Sequence, residues 1–182
     1  MPMLPPLLWK ASPNFSQRTA PIDLLVLHDV EGSYQSGIAT FLSPASKVSA
    51  HLVLKEDGTE VTQMVEWSQK AWHVVDFNSR AIGLEMAGRA AHGFPAAQWQ
   101  AAALIFATLL HIYKLPCQWA HKGVGPGFTS HYDLGKAGGG HSDPTTSALV
   151  WSLFVHRVER AYAAGGLPPI YGRGGPALLP LL

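Results

Sequence analysis

The chain has 182 residues, of which 47% are apolar and 14% are charged, and its formal net charge is +1. This composition favours a single folded domain with a sizeable core and excludes wholesale disorder. The lysines and arginines are scattered along the chain, so no nucleic-acid partner and no electrostatic membrane anchor are expected. Cys117 is the single cysteine, which excludes an intrachain disulfide and a CxxC metal site.

The apolar segments are too short or too interrupted for targeting or membrane insertion. The longest apolar run, residues 101–110, is well below the length that spans a bilayer. The first 18 residues carry three early prolines and no basic segment before an apolar one, so they do not resemble a signal peptide. We therefore expect synthesis in the cytoplasm and no membrane insertion.

Hydrophobic periodicity predicts strands that alternate with helices. Strands are predicted over 22–28, 48–54, 60–65, 81–87 and 119–121, with an Asp57-Gly58 hairpin turn between the second and the third. Helices are predicted over 34–42, from Pro95 to Leu115, and from Pro144 to about 164. This order is typical of a single α/β domain with a central mixed β-sheet flanked by helices.

The remaining segments are expected to be irregular. Residues 1–20 form an N-terminal arm in this interpretation, residues 21–164 the domain, and residues 165–182 a Gly/Pro-rich tail along the surface. Residues 123–140 are predicted to be a loop. Residues 67–80 form a long aromatic-rich connection, and because long connections in compact domains tend to be functional, we expect Trp72, His73 and Asn78 to bind substrate.

Two distant stretches carry the residues suited to metal chemistry. His28 follows the apolar run 24–27, at the end of a predicted buried strand, and the glycine-rich segment 130–146 adds His131, His141 and Asp143. Two histidines and a carboxylate from separate elements suit a catalytic zinc with an open fourth position. The spacing also fits structural roles, since buried histidines commonly find backbone partners and Asp143 is a plausible N-cap of the closing helix.

Several motifs in a fixed order resemble a known family. They are the strand before His28, SAHLVLKEDGTEVTQMV at 49–65, AWH at 71–73, IGLEMAG at 82–88, and the histidines up to Asp143-Pro144. Together they resemble the zinc-dependent N-acetylmuramoyl-L-alanine amidases of the type-2 amidase and peptidoglycan-recognition family. Phage endolysins and muropeptide-recycling amidases belong to this family. The resemblance covers residues 20 to 160, nearly the whole chain.

The resemblance implies a site and a reaction. It places the zinc ligands on His28, His131 and Asp143 and an acid/base carboxylate on Glu85. The implied reaction is hydrolysis of the amide between N-acetylmuramic acid and L-alanine. Many relatives carry a lysine where this chain has His141, so His141 is the expected oxyanion donor. Some relatives have a tyrosine where this chain has Ala50, so that phenol is absent here.

The resemblance also implies partners and leaves alternatives open. The expected partner is peptidoglycan or a soluble muropeptide, and we expect a monomer. The protein would act in the cytoplasm on muropeptides or, as a phage endolysin, on the cell wall after release. One alternative is a peptidoglycan-recognition module without catalysis. Another is an interaction protein with a structural zinc, for which His141 would be the fourth ligand.

Overall fold

The computed structural model describes residues 4–145, 147–165 and 173–174, and it contains eight strands and four α-helices in that part of the chain. The strands are β1 (Leu7–Trp9), β2 (Phe15–Gln17), β3 (Leu24–Asp29), β4 (Leu52–Leu54), β5 (Val61–Gln63), β6 (Gln69–Ala71), β7 (Ala81–Met86) and β8 (Gly127–Ser130). The helices are α1 (Tyr34–Leu42), α2 (Ala96–Ile112), α3 (His131–Leu134) and α4 (Ala148–Ala164).

Six strands form a mixed sheet in the order β1-β5-β4-β7-β3-β8, and β2 pairs with β6 in a separate antiparallel ribbon. In the large sheet only the β4–β5 hairpin is antiparallel, and every other pair is parallel. The predicted mixed α/β sheet is therefore confirmed. The parallel strands β7, β3 and β8 lie side by side, so their carboxyl ends meet at one edge.

Alternation along the central strands separates the two faces of the sheet. Leu25 and Leu27 of β3 enter the largest core cluster, whereas Leu24 and Val26 pack in a smaller cluster on the other face. Because successive side chains of a strand point to opposite faces, His28 lies on the face of Leu24 and Val26. A strand buried on both faces explains why its sequence is continuously apolar.

Helices cover both faces. The long helices α2 and α4 pack together, and their aromatic residues Phe106 and Phe154 meet Phe128 of β8 in the largest core cluster. The opposite face is covered by α1, which begins after the capping side chain of Ser33 and buries Tyr34, among others. The helix α1 therefore borders the face on which His28 lies. No helix of the described ranges is long and apolar enough to cross a membrane.

Several boundaries differ from the sequence-based expectations. The N-terminal arm is not irregular, because β1 pairs with β5 at the sheet edge and β2 pairs with β6. The strand predicted over 119–121 is wrong: only a single bridge joins Trp119 to Phe128, and the last strand, β8, lies inside the predicted loop. The closing helix begins at Ala148 rather than at Pro144, with Ser147 as its N-cap.

The C-terminal tail lies mostly outside the described residues, except for its short segment 173–174. There the backbone N–H of Arg173 donates to Gln63 Oε1 at 2.8 Å, and its guanidinium lies 4.9 Å from the ring centroid of Trp9. This segment therefore contacts the β1–β5 edge of the sheet. The division of the chain at residues 20 and 165 stays a prediction.

Candidate functional site

The carboxyl ends of three adjacent parallel strands bring the predicted site residues together. His28 of β3 and Glu85 of β7 are register partners, and His131 follows directly on Ser130, the last residue of β8. Ligand sites of α/β sheets lie at this edge, because side chains beyond the strand ends converge there. The sequence separation of 103 residues between the two histidines is thus bridged by strand pairing.

The side chains of His28, His131 and Asp143 form a three-donor cluster whose ligand atoms lie within 4.8 Å of one another. The two Nδ1 atoms are 3.0 Å apart, and Asp143 Oδ2 lies 3.3 Å from His28 Nδ1. Ligand atoms about 2.0–2.2 Å from a tetrahedral zinc are about 3.3–3.5 Å apart. The spacing therefore fits a metal ion at the centre of these donors.

Hydrogen bonds on the far side of each ring leave both Nδ1 atoms available as ligands. His131 Nε2 donates to the carbonyl oxygen of Gly138 at 2.8 Å, so the tautomer with its proton on Nε2 offers Nδ1 as a ligand atom. His28 Nε2 lies 2.9 Å from His73 Nδ1. Such outer partners set the tautomer and the orientation of metal-binding histidines. Two facing lone pairs at 3.0 Å need a cation or a proton between them, which supports the metal interpretation.

Burial favours the forms that bind metal. Desolvation lowers the pKa of His28 to about 4, so its ring is neutral at physiological pH. Burial alone would raise the pKa of Asp143, but the close approach of His131 and His28 outweighs it and holds that pKa well below its usual range. A neutral imidazole beside an ionised carboxylate is the protonation state of a metal-ligand set.

Glu85 lies beside the cluster without belonging to it. Its Oε1 is 3.9 Å from His28 Nδ1, and its side chain is almost completely buried. Burial, followed by the charges of Asp143 and Asp29, raises the pKa of Glu85 well above its ordinary value. A buried carboxyl with a raised pKa next to ligand atoms is typical of an acid/base residue.

His141 occupies the exposed rim of the site. Its ring stacks on His131 with the centroids 4.7 Å apart, and its Nδ1 approaches Asp143 Oδ1 only to 4.0 Å. The three-donor cluster identified among the described residues does not include His141. The side chain is 66% exposed, so it is free to turn toward a ligand in the cavity.

A cavity of about 680 Å³ opens over these residues, and the predicted substrate-binding residues Trp72, His73 and Asn78 all line it. The Trp72 Nε1–H donates to Ser16 Oγ at 3.0 Å, so the N-terminal arm supports this wall. Asn78 braces the connection, because its Oδ1 accepts from the backbone N–H groups of His73 and Val74 at 2.8 and 2.7 Å. Whether these three residues bind substrate stays a prediction.

Asp29 and Val75 are among the wall residues that the sequence-based reasoning missed. Asp29 is buried, and its pKa is raised to about 7 by desolvation and by the neighbouring carboxyl of Glu31. The sequence could have indicated Asp29, because this residue directly follows His28. Val75 is an exposed valine with a positive φ of 44°. Backbone strain of this kind leaves no trace in hydrophobic periodicity.

Comparison with known proteins finds similarity to amidases. A family model described as N-acetylmuramoyl-L-alanine amidase matches residues 18–146. The N-acetylmuramoyl-L-alanine amidase A of Achromobacter lyticus is 33% identical over 117 residues, which are 63% of this chain and 66% of that protein. The chain thus spans just under two thirds of the length of this relative.

Solved structures share the fold at low sequence identity. The hydrolase AmiA of Staphylococcus aureus, solved in complex with its ligand, is 17% identical with a TM-score of 0.72, over 92% of this chain and 89% of AmiA. A selenomethionine derivative of AmpD is 21% identical with a TM-score of 0.61, over 85% and 93%. A mutant endolysin from Bacillus subtilis is 16% identical with a TM-score of 0.63, over 85% and 99%. These likenesses support the fold described above.

Proposed function

The chain belongs to the N-acetylmuramoyl-L-alanine amidase family, and we propose that it is a zinc-dependent hydrolase of the amide between N-acetylmuramic acid and L-alanine in peptidoglycan or its fragments. The observation that carries this proposal is the convergence of three metal-binding donors and the buried carboxyl of Glu85 at one sheet edge. The donors are contributed by separate elements, so the fold itself assembles the site.

The donor set fits zinc in a catalytic rather than a structural site. Two imidazole nitrogens and one carboxylate are common zinc donors, and three protein ligands leave the fourth position for water or substrate. When bound, zinc supplies a Lewis acid that polarises the amide carbonyl and acidifies water. The contacts of His131 with Gly138 and of His28 with His73 hold the two rings in place for that ion.

Glu85 is the general base and acid of the proposed reaction. Its raised pKa makes the carboxylate a stronger proton acceptor than an exposed glutamate. Glu85 accepts a proton from the attacking water and returns it to the leaving amine nitrogen of L-alanine. His141, at the rim with its Nδ1 4.0 Å from Asp143 Oδ1, donates an N–H to the oxyanion that develops on the former carbonyl oxygen.

The cavity wall formed by Trp72, His73 and Asn78 supports the proposed binding of the muropeptide. The volume of about 680 Å³ lies within the range of ligand pockets. We also propose that the protein acts as a monomer, which light scattering coupled to size-exclusion chromatography tests directly. A dimeric mass would contradict this part of the proposal.

A non-catalytic recognition module is the second candidate function. It needs only the cavity, whereas the amidase also needs the metal donors and Glu85. The buried position of Glu85 favours the amidase, because a carboxyl that is costly to bury and whose ion-pair partner among the described residues is the neutral ring of His28 points to a chemical task.

The decisive experiment is mass spectrometry of the products from intact sacculi and, separately, from soluble muropeptides. We expect free stem peptides in at least one sample, their loss with a chelator, and their recovery with zinc. The variant Glu85→Gln keeps the shape and the metal donors, and we expect it to bind zinc but to lower kcat by about 10²–10⁴-fold. Zinc binding without cleavage of either sample would refute the amidase and leave the recognition module. The sample that is cut shows whether the polymer or its fragments are the substrate.

A further inference from the structure

Strained backbone positions surround the cavity. Five non-glycine residues of the described chain have a positive φ, and three of them, Glu31, Lys47 and Val75, line the cavity. Val75, with a φ of 44°, is the only β-branched residue among the five. The left-handed region is especially unfavourable for β-branched residues, and such outliers concentrate at functional sites. Val75 is therefore the position to explain.

The local structure forces this conformation on Val75. A single turn at 75–77 is closed by bonds from the N–H of Phe77 to the carbonyl of Val74 at 3.0 Å and from the N–H of Asn78 to the carbonyl of Val75 at 3.3 Å. The side-chain oxygen of Asn78 also accepts from the backbone of His73 and Val74. The turn thus holds Val75 in a conformation that glycine or asparagine adopts more easily.

Burial of the side chain does not offset this cost. Val75 is 61% exposed, although it is apolar. It faces the glycine-rich loop across the site: a Cβ placed on Gly139 would lie 3.2 Å from Val75 Cγ2 and 3.2 Å from His141 Cδ2. An exposed branched side chain next to the proposed oxyanion donor therefore presents its methyl groups to the cavity.

We propose that Val75 is a specificity-determining residue that packs against a methyl group flanking the scissile amide of the substrate. This inference rests on the proposed function, because the muramoyl–L-alanine amide carries a lactyl methyl on one side and an L-alanyl methyl on the other. Burying a methyl group against an apolar wall favours binding, and one such group is worth about 10–200-fold in discrimination. Glycine in place of Val75 removes the apolar wall and also relieves the backbone strain of the positive φ.

The test measures the dissociation constant of muramyl-L-alanyl-D-isoglutamine by calorimetry in the Glu85→Gln protein, whose turnover is expected to be about 10²–10⁴-fold slower. Adding Val75→Gly is expected to weaken binding about tenfold and to raise Tm by about 2–4 °C. Adding Val75→Thr keeps the branching and replaces a methyl by a hydroxyl, so binding weakens while Tm stays the same. A ligand with glycine in place of L-alanine shows which methyl group Val75 contacts. If it is the alanyl methyl, the Val75 variants bind this ligand as well as the parent does; if it is the lactyl methyl, they still bind it more weakly.

The control is Lys114→Gly, at another positive-φ position (53°) that lies outside the cavity lining. We expect it to raise Tm and to leave the dissociation constant unchanged. Equal binding by the parent and Val75→Gly overturns the inference while the amidase proposal stands. If the unsubstituted protein shows no cleavage while Val75→Gly still weakens ligand binding, the amidase proposal fails and the contact between Val75 and the methyl group stands. Absence of binding by the Glu85→Gln parent overturns the inference, whereas product analysis with the unsubstituted protein decides the amidase proposal separately.

Discussion

The contact between His73 and the proposed zinc ligand His28 makes Gly83 a position at which metal binding can be tested. His73 Nδ1 lies 2.9 Å from His28 Nε2, and His73 Nε2 is buried with no hydrogen-bond partner among the described residues. A side chain at Gly83 would meet this ring, because a Cβ there would lie 2.6 Å from His73 Nδ1 and 2.7 Å from Cε1. Gly83→Ala therefore displaces the ring of His73 without altering any metal ligand.

The expected effects of Gly83→Ala follow from this displacement. Overpacking a buried site costs about 1–3 kcal/mol of unfolding free energy, which lowers Tm of the metal-free protein by about 2–4 °C per kcal/mol. Loss of an outer partner of a metal-binding histidine lowers metal affinity by about 10–100-fold, which is about 1.4–2.7 kcal/mol. We expect both effects, with zinc affinity measured by competition with a chromogenic chelator.

A companion variant and a control distinguish the loss of the His73–His28 contact from a nonspecific loss of stability. His73→Phe keeps a ring of similar size but removes the acceptor of the His28 N–H, so it should weaken zinc binding to the same extent. Gly37→Ala introduces a comparable clash, 2.9 Å from Val30 Cγ1, in α1, and zinc binding should be unaffected. Unchanged zinc affinity in both Gly83→Ala and His73→Phe would refute the idea that His73 orients His28.

Three further predictions concern other parts of the molecule. Arg18 donates to four backbone carbonyls, so Arg18→Ala should lower the unfolding free energy by about 3 kcal/mol in urea titrations; an unchanged midpoint would contradict this. Asp143→Asn should abolish zinc binding measured by the chelator assay, and tight retention would show that other donors hold the ion. Burial lowers the pKa of His51 to about 3. Its contribution to stability is therefore complete above about pH 6.5 and falls by about 1.4 kcal/mol per unit as pH drops toward 3. His51→Gln should flatten that slope in the metal-free protein, and an equal slope would refute it.

The sequence predicted the elements of the fold that have a local sequence signature. The apolar run before His28 marked β3, and the Asp-Gly turn marked the β4–β5 hairpin, because a strand buried on both faces and a tight turn each demand particular residues. The strands β1 and β2 were missed since, unlike the equally short β4 and β5, they have no hairpin turn beside them and become strands only through distant partners. The strand β8 was also missed, because it lies in a glycine-rich segment that was predicted to be a loop.

The sequence alone determined which residues are suited to the chemistry: His28, His131, Asp143 and Glu85 were identified by residue type and motif. Only the tertiary structure decided how they meet, because parallel pairing of β7, β3 and β8 sets their side chains at one edge. It also decided the contact of His73 with His28 and the strained backbone of Val75. Hydrogen-bond geometry and backbone torsion depend on neighbours that are remote along the chain, and no local pattern of residues encodes them.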